Sequence, residues 1–405
     1  MSQNTSVYLQ TLGIVCALGE DKTDIANSLF ETSPDSLSSS EDFTPGRGLP
    51  LGKVNCELPS LSEYPPHQQT RSNQLLLCAF AQIKNEYDRL ANNIDPSRIG
   101  IVLGASTSGI AEAERAFKCA EVGGELPKDF SYLQQEMSSP AQSLASWLEL
   151  SGPAFTISTA CSSGAKALAS ARRLLRAGWC DLVIAGGVDA LCGLTVNGFD
   201  ALDSISDEPC LPFSKNRRGI NIGEGAALFL LSKESGPVEL AGVGESSDAH
   251  HISAPEPEGK GAEVAMVMAM KDAGVSAQNI QYLNLHGTAT PQNDRMESKA
   301  VNRIFGDTLS CSSTKGYTGH ALGAAGAIEA GFCWLAMTYE NKAKGAPPSE
   351  TPTNLPIQKW DGQFDSELSA INIVAKPTAV GKLNYTMSNS FAFGGNNISL
   401  VFKRT

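Results

Sequence analysis

Short, nearly continuous apolar runs alternate along this chain with longer stretches whose apolar residues recur every third or fourth position. The first pattern is that of strands buried on both faces, the second that of amphipathic helices. Strands are predicted at 7–18, 98–106, 155–159, 181–190, 223–233, 238–248 and 281–287. A short strand and turn follow at 309–316, and a turn and strand at 385–403 end the chain. Helices are predicted at 73–91, 110–122, 138–150, 163–178, 261–274, 293–306 and 319–340. Residues 31–70, rich in Ser, Pro and Glu, and the Pro-rich 345–366 read as surface loop.

The pattern also echoes itself. GEGAALFLL at 223–231 and GGNNISLVF at 394–402 are both glycine-led strands closing a run of alternating strands and helices. IGIVLGAS and QYLNLHGTA read as corresponding strands that each feed a helix. The chain therefore reads as mixed α/β in two similar halves, 1–240 and 241–405, packed as layers around shared helices.

Composition narrows the function. At 405 residues and 41% hydrophobic, the chain can bury a large core, which excludes disorder for most of it. A net charge of −12 argues against nucleic acid and anionic membrane as main partners. The weakly polar stretch 321–337 approaches a membrane span in length, but Glu329 lies inside it and His320 precedes it, so a buried helix is expected. The opening MSQNTSVYLQ has neither a basic nor an apolar leader segment, and a cytoplasmic location is expected. Ten cysteines without a CxxC pair read as free thiols rather than a local zinc site, and no metal is expected.

Among the cysteines, Cys161 stands apart, in STACSSGAKAL between a predicted strand and helix. A thiol exposed on such a turn, at the positive end of a helix, is expected to have a lowered pKa. Its small neighbours let a carbonyl approach backbone N–H groups, as an oxyanion hole requires. His67, His250 and His251 read as solvated surface. His286 closes an apolar strand and His320 is expected to begin a helix, both beside glycines, with Lys315 in the same turn as His320. Glu329, inside an apolar helix, needs a cation, and Lys315 is the nearest candidate. Gly394 and Gly395 permit close approach of the backbone to a ligand, or simply turn the chain. No P-loop or GxGxxG is present.

Taken together, ACSSGAKAL, LHGTATPQND, STKGYTGHALGAAGAIEA, NSFAFGGNN and LPFSKNRRGINIGEGAAL resemble the motifs of β-ketoacyl-acyl carrier protein synthases of the elongating class, in family order over nearly the whole chain. The resemblance implies a thiolase-like fold, two similar halves in a five-layer α-β-α-β-α arrangement. It implies a decarboxylating Claisen condensation in fatty acid or specialised polyene or polyketide synthesis. Cys161 would take the acyl group; His286 and His320 would hold the malonyl thioester carbonyl; the N–H groups of Cys161 and Phe393 would form the oxyanion hole. Lys315 with Glu329 would orient the histidine-bearing turn, Thr288 and Thr290 would contact the pantetheine arm, and Phe391 would gate the nucleophile. No cofactor is implied, because phosphopantetheine arrives on the acyl carrier protein. That carrier, acidic by the same resemblance, is the implied partner. The implied assembly is a homodimer, or a heterodimer with a related subunit. Arg71, and less so Arg172 and Arg218, are candidates for carrier docking.

Departures from the pattern mark specialisation. Ala289 stands between the two threonines, Ala392 replaces the gate glycine, and Ser214 and Arg218 replace acidic residues. Alternatives are a cysteine hydrolase, which the paired histidines and Lys315 fit poorly, and a thiolase, whose second cysteine near the C-terminal glycines is missing after Cys333. A non-elongating acyltransferase or a non-catalytic partner subunit are further alternatives; the presence of Cys161 weighs against the latter.

Overall fold

The computed structural model describes residues 5–32, 34–339 and 353–405. Eleven strands form the main sheet: β1 (Tyr8–Cys16), β2 (Ile99–Gly104), β3 (Ala154–Ile157), β4 (Leu182–Asp189), β5 (Gly225–Ser232), β6 (Val238–Ser247), β7 (Tyr282–Asn284), β8 (Ser310–Ser312), β9 (Asn372–Ile373), β10 (Tyr385–Ala392) and β11 (Asn396–Arg404). The helices that matter here are α1 (Arg71–Ala91), α2 (Ile110–Gly123), α3 (Ser139–Trp147), α4 (Ser163–Arg176), α5 (Gly193–Asp200), α6 (Lys260–Ala273), α7 (Pro291–Phe305), α8 (Lys315–Thr318) and α9 (Ala325–Thr338).

Strand order is β9-β8-β7-β10-β11-β6-β1-β5-β4-β2-β3. It repeats outward from its centre in both directions, first strand of the half, last, last but one, second, third, and the second half adds the short β9 at its edge. In each half the first two pairings outward are antiparallel and the rest parallel, two in the first half and three in the second. The glycine-led β5 and β11 correspond, as do β2 and β7. Among the described residues, strand pairing between the two half-sheets is limited to Tyr8 with Glu239 and Leu9 with Val238, next to a Leu240 N–H bond to the Val7 carbonyl at 3.0 Å; otherwise the half-sheets face each other. The exposed turn 233–237 connects the halves, so the expected division at 240/241 falls three residues inside β6.

The middle layer is α4 and α9, which pack on each other and on strands of both half-sheets. Their backbones approach closely because glycine sits at the crossing. A Cβ on Gly164 would come within 2.8 Å of the Ala327 nitrogen, and one on Gly326 within 2.9 Å of the Ala165 nitrogen. Outside, α1 and α3 cover the first half-sheet, α6 covers the second, and α7 packs against α6. Side chains of β5 show the resulting two-sided burial: Ala227, Phe229 and Leu231 face the middle layer, while Ala226, Leu228 and Leu230 pack under α1. Two-sided burial is why these strands read as unbroken apolar runs.

Three expectations fail locally. Residues 319–324 are not α-helix: Gly319 has φ +63° and Leu322 φ +47°, and the chain turns through a single 3₁₀ turn at Leu322–Ala324 before α9 begins at Ala325. His320 therefore precedes the helix instead of starting it. Inside the expected loop 31–70, Ser38–Ser40 pairs with Leu49–Leu51, whose leucines are buried against Leu191, Ile220 and Leu322. Helix α5 carries no sequence signal for itself; the Glu114 carboxylate of α2 accepts the Gly193 and Leu194 N–H groups at 2.8 and 2.6 Å and holds its start. Residues 345–352 of the expected Pro-rich loop lie outside the described residues. Among the described residues, no helix is long and apolar enough to cross a membrane.

Candidate active site

Cys161 sits between β3 and α4, on a turn where Ala160 takes φ +52°. Ser163 accepts the Thr159 N–H at 2.8 Å and donates to the Ala160 carbonyl at 2.6 Å, and Ser162 donates to the Thr159 carbonyl at 2.8 Å. Small hydroxyl residues thus brace a tight turn that presents the sulfur at the head of α4. The thiol is buried, not exposed as the sequence suggests, and burial pushes its pKa up to about 11. The Lys315 ammonium and the N–H groups of Phe393 and Cys161 pull it back down. The helix terminus therefore does not by itself deliver a thiolate; desolvation outweighs it.

His320 Nε2 lies 2.9 Å from Cys161 Sγ. The Leu322 N–H donates to His320 Nδ1 at 3.3 Å, which leaves the ring proton on Nε2. The His320 backbone is fixed as well: its N–H donates to the Asn221 carbonyl at 2.6 Å, and its carbonyl accepts the Gly223 N–H at 3.0 Å. His286, two residues beyond β7, places its ring centroid 5.6 Å from that of His320. Lys315 Nζ faces His286 Nδ1 at 3.4 Å and donates to the His286 carbonyl at 2.5 Å, so this ring too presents Nε2–H. Burial, and then the Lys315 charge, hold both imidazoles well below the ordinary histidine range. Both rings are neutral donors.

Lys315 reaches this position from α8 and is almost fully buried, paired with Glu329 of α9. Burial pushes the Glu329 carboxyl up to about 7 against the pull of that ammonium. The pair stands behind His286, outside the cavity wall. Glu297 carries no signal of its own in the sequence. Its carboxylate on α7 accepts the His286 and Gly287 N–H groups at 2.8 and 2.7 Å and is itself bonded by Asn389 at 3.3 Å. A glutamate in the polar helix NDRMESKAV reads as solvated from sequence alone.

One cavity joins these groups. Cys161, His286, His320, Thr288, Thr290, Phe391 and Phe393 line it, with Phe199 from α5, Leu202 just after that helix, and Ile220. Thr288 and Thr290 bond each other at 3.0 Å, and Ala289 between them is held at φ +65°. Phe391 packs 6.1 Å from the His286 ring, and Phe393 5.6 Å from Phe199. Gly394 and Gly395 are not in the wall. Their φ values of +80° and +75° make the turn behind Phe393, and Gly394 donates to the Ile252 carbonyl at 2.8 Å. Ala392 is the last residue of β10, paired with Asn396.

The Cys161, His286 and His320 ligand atoms lie within 4.8 Å of one another, a donor set that zinc also uses. Here the Nδ1 atoms are engaged by Leu322 and Lys315, and a buried ammonium beside His286 opposes a second cation.

Two docking candidates are corrected. Arg71 forks onto the buried Glu224, with Nε 2.7 Å from Oε2, and is structural. Arg172 is buried against the Leu240 and Ala241 carbonyls and Asp272. Arg218 is exposed, in no ion pair among the described residues, and adjoins Gly219, whose N–H donates to Ala289 at 3.0 Å. Ser214 donates to Asp361 at 2.9 Å, so a distant aspartate supplies acid beside the position where the family pattern has its own.

Profiles of known families match both halves: "Beta-ketoacyl synthase, N-terminal domain" over residues 30–236 and "Beta-ketoacyl synthase, C-terminal domain" over residues 238–344. Relatives include Nodulation protein E of Rhizobium meliloti (strain 1021), 31% identical over 98% of this chain and 99% of that protein. The 3-oxoacyl-[acyl-carrier-protein] synthase 2 of Staphylococcus aureus (strain N315) is 32% identical over 100% of this chain and 99% of its own. Among solved structures, the ketosynthase ApeO in complex with its chain length factor ApeC, from Xenorhabdus doucetiae, is 41% identical at a TM-score of 0.90, covering 100% of both chains. A β-ketoacyl synthase from Burkholderia phymatum STM815 is 28% identical at a TM-score of 0.84, covering 99% of this chain and 100% of that one. With this thiolase-like architecture and these matches over its full length, the chain belongs to the β-ketoacyl synthase family.

Proposed function

We propose that the chain condenses an acyl group carried on Cys161 with malonyl-acyl carrier protein, releasing CO₂ and giving a β-ketoacyl thioester. The observation that carries this is the pair of neutral imidazoles facing one buried thiol, with His320 Nε2 2.9 Å from Cys161 Sγ.

In the first half-reaction Cys161 sulfur, giving up its proton, attacks the acyl thioester carbonyl. The Cys161 and Phe393 N–H groups hold the tetrahedral oxyanion, and the carrier thiol leaves with a proton. In the second, the malonyl thioester oxygen lies between the Nε2–H groups of His286 and His320. The bond to the carboxylate breaks, CO₂ departs and its electron pair becomes the enolate. Neutral donors suit this step because the charge develops on the oxygen they face; each such donor is worth roughly 10²–10³ in rate. The enolate carbon then attacks the acyl-Cys161 carbonyl, and the thiolate is expelled. Lys315 orients His286, and Thr288 and Thr290 receive the pantetheine amides. No metal or diffusible cofactor takes part, and the reaction is cytoplasmic.

The assembly is a dimer through the edge strand β3, where Phe155 is 37% exposed and, among the described residues, no further strand pairs. The likeness to ApeO favours a related, chain-length-factor-like subunit as the partner. Mass spectrometry of the protein with a panel of acyl carrier thioesters tests the reading. A covalent acyl adduct is expected on Cys161 and none on Cys161→Ala; an adduct elsewhere, or CO₂ release that ignores the acyl group, overturns it. Light scattering of the chain alone and co-expressed with a related subunit tests the pairing.

A further inference from the structure

One fully buried carboxylate close to this site has no part in the mechanism above. Asp189 ends β4 with its side chain wholly enclosed. Oδ1 accepts the Ser106 N–H at 2.7 Å, the Thr107 N–H at 2.8 Å and the Thr107 hydroxyl at 2.9 Å, all just past the end of β2. Among the described residues, Oδ2 accepts one bond, from the Gly323 N–H at 2.6 Å. The carboxylate therefore ties the exit of β2 to the 319–324 turn, across the boundary between the two halves.

That turn is not self-supporting. Gly319 and Leu322 both have positive φ, a conformation that is strained for leucine because its Cβ crowds the following carbonyl oxygen. Its immediate product is the Leu322 N–H aimed at His320 Nδ1, which fixes the ring proton on Nε2 facing Cys161. The peptide that supplies this N–H is followed directly by the one that Asp189 grips.

We propose that Asp189 is a positioning residue for His320, holding the strained Leu322–Gly323 turn so that the imidazole keeps its Nε2–H on the reacting atoms. It touches no substrate. The proposal rests on the condensing reaction set out above, and its test separates the two.

Asp189→Asn keeps the volume. An amide oxygen left facing the three β2-exit donors turns its NH₂ toward the Gly323 N–H, and donor meets donor. Gly323→Ala disturbs the same contact from the other side, since a Cβ there would lie 2.7 Å from Asp189 Oδ2. In each variant malonyl decarboxylation should fall by roughly 10²-fold, the scale of a small misplacement of a catalytic group, while acyl loading on Cys161 changes far less. Thr107→Val removes a bond to Oδ1, leaves Oδ2 alone, and should lower the melting temperature without changing that ratio.

Nitrogen-15 spectra of the five histidines give a readout that mere stability would not move. Wild-type His320 should show an unprotonated, hydrogen-bonded Nδ1; Asp189→Asn should shift this signal or mix the tautomers. An unchanged His320 signal, an unchanged ratio of loading to decarboxylation, or failure of both variants to fold would each overturn the proposal. If wild-type protein neither loads nor decarboxylates, the functional reading fails instead.

Discussion

His286 and His320 occupy the same cavity, but only His320 touches the sulfur. Replacing either by alanine should slow decarboxylation by roughly 10²–10³. His320→Ala should also change the rate at which iodoacetamide alkylates Cys161, and His286→Ala should not; equal effects in that assay would mean the rings do not divide the work as their distances say. Lys315 and Glu329 make a different prediction. With 1% and 3% of their side chains exposed, removing the cation leaves a lone buried carboxylate, costing about 3–5 kcal/mol. Lys315→Ala should melt early, and Glu329→Gln added to it should recover stability but not activity. Residues of this kind were legible because each motif carries its chemistry within a few positions: thiol before helix, histidine beside glycine. Asp189 and Glu297 were not, because their partners are main-chain N–H groups supplied by other segments. Arg71 misled for a similar reason: its partner Glu224 is distant in sequence, and only folding turns a surface-looking cation into a structural one.

Helices and strands followed the apolar pattern wherever one element buried its own face. The pattern failed where the decisive partner lay elsewhere. GHALGAAG has the alanine content of a helix, yet N–H bonds donated to the Asn221 carbonyl and the Asp189 carboxylate fix an irregular turn instead. Helix α5 is the converse, a segment of poor helix formers held by a carboxylate from α2. Because α5 carries Phe199, which packs on Phe393, Glu114 acts on the cavity wall from a distance. Glu114→Ala should cost about 0.5–2 kcal/mol, the worth of a helix cap. It should raise hydrogen exchange over 193–200 and the KM for acyl substrate more than it lowers kcat; exchange confined to α2 would refute the link.

Charge acts over the whole molecule. Burial raises Asp189 and Asp294 to about 6, and Glu297 and Glu329 to about 7. A carboxyl with a raised folded pKa contributes stability that is complete below its unfolded pKa and lost as pH rises through the folded one. Resistance to urea should therefore decline from about pH 4 to about pH 7, and Glu297→Gln should flatten part of that decline. An identical slope in the variant would show that Glu297 does not titrate there. On the surface, a chain of net charge −12 repels an acidic carrier beyond a Debye length of about 8 Å, so local cations must guide docking. Arg218 is exposed beside the loop that carries Thr288 and Thr290. Arg218→Glu should raise the KM for carrier-bound substrate at low salt and leave a pantetheine thioester unaffected; equal damage to both would make its role structural.

The mirrored strand order has a chemical corollary. The third strand of each half, β3 in one and β8 in the other, leads to the same cleft, but one delivers a sulfur nucleophile and the other an ammonium followed by a proton-donating ring. Identical copies could not catalyse this reaction. Two facing thiols would have no donors for the enolate, and two facing imidazoles would have nothing to carry the acyl group. Divergence between equivalent strand ends is thus a requirement of the chemistry, and symmetry survives only in the scaffold that no substrate touches.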